Sequence, residues 1–479
     1  MKSELRLEGA MTPEHVAEKY VYLPFDMPAG ARRLDVALER SQQVAGAETV
    51  DRSLTLAVFD ARGNEFLTGG FRGRADGKRE FFIAPDAATP SFLRGPLQPG
   101  PWSLMVQCPP DLKEGALHYD FKLTLDVDAE GAPETADEMP NPGRDLGLAV
   151  AGGANGGEGR WYKGDLHAHS EHSDGKNPVD QVVDYARRAG LDYFALTDHN
   201  TISHWEDLVR LSNGTMLLIG GEEVTMPGGH ANVWGLEDWV EFRTNSSEDV
   251  QRVIDNARAR GSMFSINHAD SPIPWRHNDV VGWQAIEVWN SPWRWYNEPT
   301  LVRWQYHLNL GRRIVVVGGS DSHWVPPADA TQPNLPGEPC TWVYVEGPLT
   351  QRSVLDAVER GRVFVSEAPT GPFIELRADG DGDGVFETLP GDVISPRPSE
   401  PVRFHVRYRG PEGVHLRLFN RKGIVKDITA PSEEHDEELE LPCQGRDYLR
   451  VEVRGYRGRP DRGEVVHALT NPIYWGRWR

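Results

Sequence analysis

The sequence predicts a mixed α/β chain in which a closed or nearly closed barrel stands between two regions of short antiparallel strands. Three observations carry this. From about Trp161 to residue 370, near-continuous apolar strands alternate with helix-patterned segments. His, Asp and Glu residues fall at the ends of successive strands there, and only a barrel brings all those ends to one point. Before and after that stretch, period-two apolarity with Gly, Pro and Asp turns takes over. The expected divisions are a β-sandwich over 1–140, a linker over 141–160, the barrel over 161–370 and a second β-sandwich-like region over 371–479.

In the first region Leu54–Phe59, Phe81–Ile83, Trp102–Val106 and Tyr119–Leu125 are the strand candidates. Pro133–Gly159 is rich in Pro, Gly, Ala and Asn, the composition of a linker. Asn177 is placed to N-cap a helix with Pro178 at its first position, and Val179, Val182, Val183 and Ala186 give it an apolar stripe. Gly190 stops it, and Tyr193–Thr197 is a buried strand ending at Asp198-His199. The pattern repeats with a helix from Ser247 to Gly261 and a strand Met263–Ile266 ending at Asn267-His268. A helix over Pro299–Leu310 then leads to a strand Ile314–Val317, which ends at Ser320-Asp321, and Thr350–Gly361 is one more helix. Val402–Tyr408, His415–Phe419 and Tyr448–Val453 alternate as strands. The acidic run Asp379–Gly384 suggests calcium, but Pro390 stands where an EF-hand loop needs its Glu, so a solvated turn is the better reading.

Composition narrows the function classes. A hydrophobic share of 39% and a charged share of 26% describe a globular chain, and no apolar run approaches the roughly 18 residues of a membrane span. The first residues lack the apolar core of a signal peptide, so the expected location is cytoplasmic and no membrane partner is expected. A net charge of −21 with no offsetting Lys/Arg cluster disfavours nucleic acid as a partner. Cys108, Cys340 and Cys443 are too far apart for a thiolate metal motif.

The chemistry concentrates in the barrel segment. His167 and His169 are two apart, so on a strand both imidazoles face the same way. An H-x-H pair alone is weak, but ten of the 16 histidines lie between His167 and His323, interleaved with Asp198, Glu223 and Asp321. A set of N and O donors of this kind suits a hydrolytic cluster of two or three metal ions.

Asp165-Leu166-His167-Ala168-His169-Ser170 with Ser173-Asp174-Gly175, then Thr197-Asp198-His199-Asn200, Gly221-Glu222-Glu223-Val224, Asn267-His268 and Ser320-Asp321-Ser322-His323 resemble the ordered motifs of the PHP (polymerase and histidinol phosphatase) superfamily. Gly229–Gly235, Ile286–Asn290 and Thr470–Tyr474 resemble, more narrowly, CehA/McbA-type metallohydrolases, which include carbamate hydrolases. The resemblance implies a distorted (β/α)7 PHP-type barrel with metals at its strand C-termini. It implies His167, His169, Asp174, His199, Glu223, His230, His268, Asp321 and His323 as ligands, and all nine positions hold competent residues. Glu223 is the expected bridging carboxylate, Glu222 ranks behind it, and Asp198 is expected to orient a ligand imidazole. The donor set has no sulfur, so divalent Zn, Mn and Fe all fit.

The expected reaction is attack of a metal-bridging hydroxide on a phosphoester, or on a carboxylic ester, carbamate or amide, of a small-molecule substrate. Asp321 and His268 are the candidate catalytic residues, with Asp321 placed to carry a proton to the leaving group. Asn267, Glu287 and Asn290 are candidate outer hydrogen bonders. His172, His204 and His277 are candidates for protonating a leaving group or binding an anion. Trp275, Trp283, Trp289, Trp293, Trp295 and Trp304 form either core or an aromatic substrate wall, with Arg276, Arg294 and Arg303 as candidate anion clamps. The competing reading is a carbohydrate- or surface-binding protein on a vestigial PHP scaffold. A homodimer through the β regions is also compatible with the sequence.

Overall fold

The computed structural model describes residues 1–128, 139–147, 149–151, 159–326, 334–395, 400–456 and 463–478. Near the N-terminus two antiparallel sheets share one apolar core. One runs in the order Lys2–Met11, Ala116–Val127, Ala31–Ala45, Glu48–Asp51, and the other Tyr20–Met27, Gly100–Gln107, Thr55–Phe59, Phe71–Asp76. The strict alternation of buried and half-buried residues along Ala116–Val127 shows why one face turns inward.

Of the expected linker, residues 148 and 152–158 lie outside the described residues, as do 133–138 of the Pro/Gly-rich stretch. Its described part is not free chain. Pro142–Gly147 is a short helix whose Leu146 is buried, and a Cβ at Gly143 would stand 2.6 Å from the Leu236 carbonyl.

The sheet that positions the site begins with β1 (Gly159–Asp165), β2 (Tyr193–Leu196), β3 (Leu217–Met226), β4 (Gly229–Trp234), β5 (Met263–Ile266), β6 (Ala285–Asn290) and β7 (Val315–Gly319), hydrogen-bonded in that order. Helices α1 (Val179–Arg188), α2 (Trp205–Leu211), α3 (Ser247–Ala259) and α4 (Asn297–Asn309) connect them. Alternate residues along each strand join two different cores. Phe194, Leu218, Phe264 and Ile286 pack with Val182 and Val253 of the helices, while Tyr193, Leu217, Met263 and Ala285 pack with Val354 and Val358 of α5 (Gln351–Arg360). Burial on both faces explains the near-continuous apolar strands.

The architecture is mixed α/β and sheet-rich, with seven helices among the described residues, only four of them connecting the seven-strand run, fewer than strict alternation demands. The sheet is not wholly parallel either. β4 runs antiparallel to both β3 and β5. Only Pro227-Gly228 separates β3 from β4, and Gly228 and Gly229 take φ of 95° and 146°, so the link is a hairpin, too short for a crossover helix. Asn177 does not cap α1. Its side chain accepts from Val325 N–H at 3.0 Å and donates to Gln181, leaving Pro178 at the helix start.

The ends of the seven-strand run meet just beyond their C-termini. Asp321 N–H donates to the His167 carbonyl at 2.8 Å, and His169 N–H to the Ser322 carbonyl at 2.9 Å. On the other side of β1, the strand β8 (Cys340–Glu346) pairs antiparallel and carries the sheet through β9 (Val363–Ser366) into the C-terminal strands, so those strands continue the central sheet. No helix among the described residues is long and apolar enough to cross a membrane.

Candidate metal centre

Glu223 lies in the interior half of β3, fully buried, and five imidazoles converge on it. Its Oε2 lies 3.3 Å from His167 Nε2, 3.3 Å from His169 Nε2 and 3.0 Å from His199 Nδ1. Its Oε1 lies 3.2 Å from His230 Nδ1 and 3.2 Å from His268 Nε2. The histidines arrive from the ends of β1, β2 and β5 and from β4, so the sheet order itself gathers them. The antiparallel register of the hairpin sets His230 opposite Thr225, on the strand that carries Glu223.

Asp321 and His323 follow β7. Asp321 Oδ1 lies 3.0 Å from His169 Nε2 and 3.4 Å from His167 Nε2. Asp174 Oδ1 lies 3.1 Å from His323 Nε2 and 3.7 Å from His199 Nε2. The donors fall into three overlapping groups: His169, Asp174, His199 and His323; His167, His169, Glu223 and Asp321; and His199, Glu223 and His230. All nine residues named for the ligand set therefore meet at one place, His268 through Glu223 alone.

These contacts suit divalent cations. Glu223 Oε2 is buried and makes no hydrogen bond despite its close imidazoles, and His169 Nδ1 is likewise unpartnered. With metal–donor bonds of about 2.0–2.2 Å, neighbouring donors in tetrahedral or octahedral coordination stand about 3.0–3.5 Å apart, which is the spacing found around Glu223 and Asp321. Burial opposes ionisation of Glu223, yet the His167, His199 and His230 rings hold its carboxyl well below the usual range. Asp321 is only partly buried, and His167, His169 and His323 hold its carboxyl well below the usual range. Burial, with His323 and His199 close by, pushes His169 down to about 4, which leaves it a neutral donor.

Outer partners fix the rings. His167 Nδ1 lies 2.8 Å from Glu287 Oε1, so Nδ1 carries a proton and Nε2 points inward toward Glu223 and Asp321. Glu287 Oε2 accepts from His268 N–H at 3.2 Å and Asn290 Nδ2–H at 3.0 Å, and Asn290 reaches Asp321 Oδ2 at 3.2 Å. Asn267 donates to Glu223 Oε1 at 2.9 Å. His323 Nδ1 donates to the Asp321 carbonyl at 2.8 Å. His268 and Asp321 take φ of 26° and 52°, a region that non-glycine residues rarely occupy.

Several sequence expectations need correction. Asp198 orients no ligand imidazole. It accepts from Ser170 and Ser173 and faces His204 Nδ1 at 3.2 Å, bracing the loop between His169 and Asp174 from behind. His204 is fully buried between Asp198 and the Leu196 carbonyl, so it is no leaving-group acid. Trp275 is buried beside Phe264 and donates to the His277 carbonyl, and Trp283, Trp289, Trp293 and Trp304 are also core, so the aromatic wall is absent. Trp295 alone of that segment is exposed. Arg276 is exposed and tied by its backbone N–H to Gly228, and Arg303 is paired with Asp270. Glu222 points away from the centre, accepting from Val240 N–H, and burial pushes it up to about 8.

Three contributors escaped the sequence reading. Thr225 Oγ1 holds His199 Nδ1 at 2.6 Å, and its place two residues after Glu223 on one strand was the available signal. Asp165 accepts from the His167, Ser320 and Gly337 amides, clamping β1 to the chain after β7. Gly319 has no side chain because a Cβ would lie 2.4 Å from His167 Cβ and 2.5 Å from Glu287 Oε1.

Residues 165–252 match the family model of the PHP domain. That segment holds His167, His169, Asp174, His199, Glu223 and His230, and the remaining three ligand candidates lie beyond it. No curated protein matches the chain. Among solved structures, a two-domain protein from Bacteroides vulgatus, described as containing a predicted PHP-like metal-dependent phosphoesterase, is 18% identical with a TM-score of 0.37, over 68% of this chain and 98% of its own. A candidate metal-dependent phosphoesterase from Bifidobacterium adolescentis is 16% identical with a TM-score of 0.26, over 36% of this chain and 91% of its own.

Proposed function

We propose that this chain is a metal-dependent hydrolase whose centre lies at the strand ends of a distorted (β/α)7 barrel, and that it cleaves a phosphoester or a carboxylic ester, carbamate or amide of a small organic molecule. The observation that carries the reading is Glu223, a buried carboxylate ringed by five imidazoles at 3.0–3.3 Å. Structure alone does not require so many ionisable groups in one place, because burying them without cations is expensive. The PHP-domain match over the first six ligand candidates supports the same reading.

Three overlapping groups could each hold an ion: His167, His169, Glu223 and Asp321; His169, Asp174, His199 and His323; and His199, Glu223 and His230. Because one imidazole nitrogen offers one lone pair, His169 and His199 would each serve a single ion, while the Glu223 carboxylate can serve two. Such ions supply Lewis acidity toward water and toward a phosphoryl or carbonyl oxygen. The chain's own residues do the positioning. Glu287 keeps His167 in the tautomer that presents Nε2. Asn290 steadies Asp321 by its Oδ2 and leaves Oδ1 facing His169, where the carboxylate can pass a proton toward a leaving group. Ser271 Oγ lies 3.2 Å from His268 Nδ1 and aims Nε2 at Glu223.

Elemental mass spectrometry of the purified, unchelated protein is the test, followed by turnover of aryl phosphates, carboxylic esters and carbamates. Two or three equivalents of Zn, Mn or Fe, and turnover that disappears in the H167A/H169A double variant, are expected. A folded protein that binds no added divalent metal would refute the proposal.

A further inference from the structure

One residue of the N-terminal sheet pair grips the chain around the metal centre with its main chain. Ser91 follows the strand Glu80–Ile83, is fully buried and takes φ of 93°, a region that favours glycine. Gly73 of the strand Phe71–Asp76 makes room for it, since a Cβ there would stand 2.2 Å from the Ser91 carbonyl. Both main-chain polar groups of Ser91 are spent on the far side of the boundary. Its N–H donates to Ser203 Oγ at 3.2 Å, and its carbonyl accepts from Thr201 Oγ1–H at 3.0 Å. Thr201 and Ser203 follow the ligand candidate His199 in the segment between β2 and α2. A non-glycine residue in strained backbone persists only where its surroundings impose it, and such residues gather at functional sites.

The contact continues beyond Ser203. Ser203 Oγ lies 2.7 Å from His172 Nδ1, and His172 Nε2 faces Asp207 Oδ2 of α2 at 3.4 Å. His172 is buried, so its ring is a peg held at both nitrogens, with neither left for a leaving group. It belongs to the turn 171–174, which hangs between the ligand candidates His169 and Asp174. His172 N–H donates to Ser170 Oγ at 3.2 Å, and Ser170 and Ser173 both donate to Asp198. Asp198 therefore anchors this turn from one side and the His172 peg anchors it from the other.

What the turn carries is Asp174. Its side chain is 54% exposed, with Oδ1 3.1 Å from His323 Nε2 and 3.7 Å from His199 Nε2. So open a carboxylate is aimed by the turn beneath it and not by packing around it. Glu223 and Asp321, by contrast, are fixed by β3 and by Asn290. One chain of contacts thus runs from Ser91 through Ser203 and His172 to a single carboxylate of the centre. A carboxylate held in place before an ion arrives loses less freedom on binding it, which raises affinity.

We propose that Ser203 and His172 are positioning residues through which the N-terminal sheet pair sets the affinity for the ion bound through Asp174. The inference rests on the metal-dependent reading above. It makes that ion the one whose hold depends on how the N-terminal sheets are docked, while an ion between Glu223 and Asp321 keeps its affinity when the link is cut.

Titration of the stripped full chain with Zn against a competing chelator, resolved by equivalent, tests it, with circular dichroism confirming the fold of each variant. S203A should weaken one equivalent by about tenfold, the effect of losing one buried hydrogen bond, and leave the others unchanged. S203T keeps the hydroxyl and should recover most of the loss. H172L cuts the same link from the turn side, carries the test if S203A does not fold, and combined with S203A should be no weaker than the weaker single variant. R94A breaks a separate contact across the same boundary, the Arg94–Glu206 pair, and should leave every equivalent unchanged. Hydrogen exchange gives a readout without metal: in stripped protein the amides of 171–176 should exchange faster in S203A and H172L than in the parent or R94A. A parent chain that takes two or three ions, with S203A and H172L matching it at every equivalent, would overturn this inference alone. An equal loss at all equivalents, or the same loss in R94A, would also overturn it, as a general loosening of the fold. A parent chain that takes no Zn would refute the hydrolase reading and this inference with it, and the parent titration by itself tells that case apart.

Discussion

Glu287→Gln is the sharpest test of how the centre is held. Glu287 is almost fully buried and uses both oxygens, one facing His167 Nδ1 at 2.8 Å and the other accepting from His268 N–H and Asn290 Nδ2–H. Glutamine keeps the volume but has one acceptor. If its carbonyl stays on His167, its NH2 meets two donors. If the amide turns over, His167 Nδ1–H meets an NH2, and the ring is free to present the wrong nitrogen. Either way a hydrogen bond to a charged group is lost, worth about 1.5–3 kcal/mol. That range agrees with the 10–100-fold loss of affinity typical when the partner of a metal-ligating histidine is removed. Titration of stripped protein with Zn or Mn against a competing chelator measures it, with circular dichroism confirming the fold. An affinity equal to that of the parent chain would refute the claim that Glu287 fixes the His167 tautomer.

Three further outcomes are expected. Chelation should lower the thermal midpoint, since cations present at about a thousandfold over their Kd stabilise the folded state by about 4 kcal/mol, and superimposable calorimetric scans with and without chelator would count against a loaded centre. Gly319→Ala should destabilise the chain by about 1–3 kcal/mol or more in urea titrations, because the added methyl overlaps His167 and Glu287, and an unchanged midpoint would show that these neighbours can move aside. Burial pushes His204 from 6.5 down to about 4, so between those values the unfolded chain binds the extra proton, and up to about 3 kcal/mol of stability, complete above pH 6.5, is lost as the pH falls toward 4. His204→Gln should flatten the difference between urea midpoints at pH 7 and pH 5, and an identical difference in the variant would assign acid sensitivity elsewhere.

The centre was legible in the sequence because its chemistry is local to strand ends. His167-Ala168-His169 and Ser320-Asp321-Ser322-His323 announce themselves by residue type and spacing, and the apolar runs before them supply the strands. Connectivity was harder to read. Pro227-Gly228-Gly229 carries a hairpin signal, but it sits within rhythmic strand–helix alternation, and no antiparallel strand was expected after it. The partner of an ionisable group was harder still. Asp198 precedes a ligand in sequence, yet its hydrogen bonds go to Ser170, Ser173 and His204, because a strand end turns successive side chains to opposite sides. The tryptophans from Trp275 to Trp304 illustrate a further limit, since composition marks an aromatic segment but tertiary packing decides whether it faces substrate or core.

The closure between the chain after β1 and the chain after β7 has a consequence for biosynthesis. His169 and Asp321 are 152 residues apart, and the amide of Asp321 docks on the carbonyl of His167. A ribosome adding about 5–20 residues per second needs roughly 8–30 s to make the intervening chain. During that interval the first two histidines have emerged without the segment that completes their surroundings. The groups that include Asp321 or His323 therefore cannot be completed until that segment has cleared the exit tunnel, whereas His199, Glu223 and His230 emerge earlier. A nascent chain arrested before that point would display an open edge of β1 and a half-built cluster, a form suited to capture by chaperones and not to chemistry.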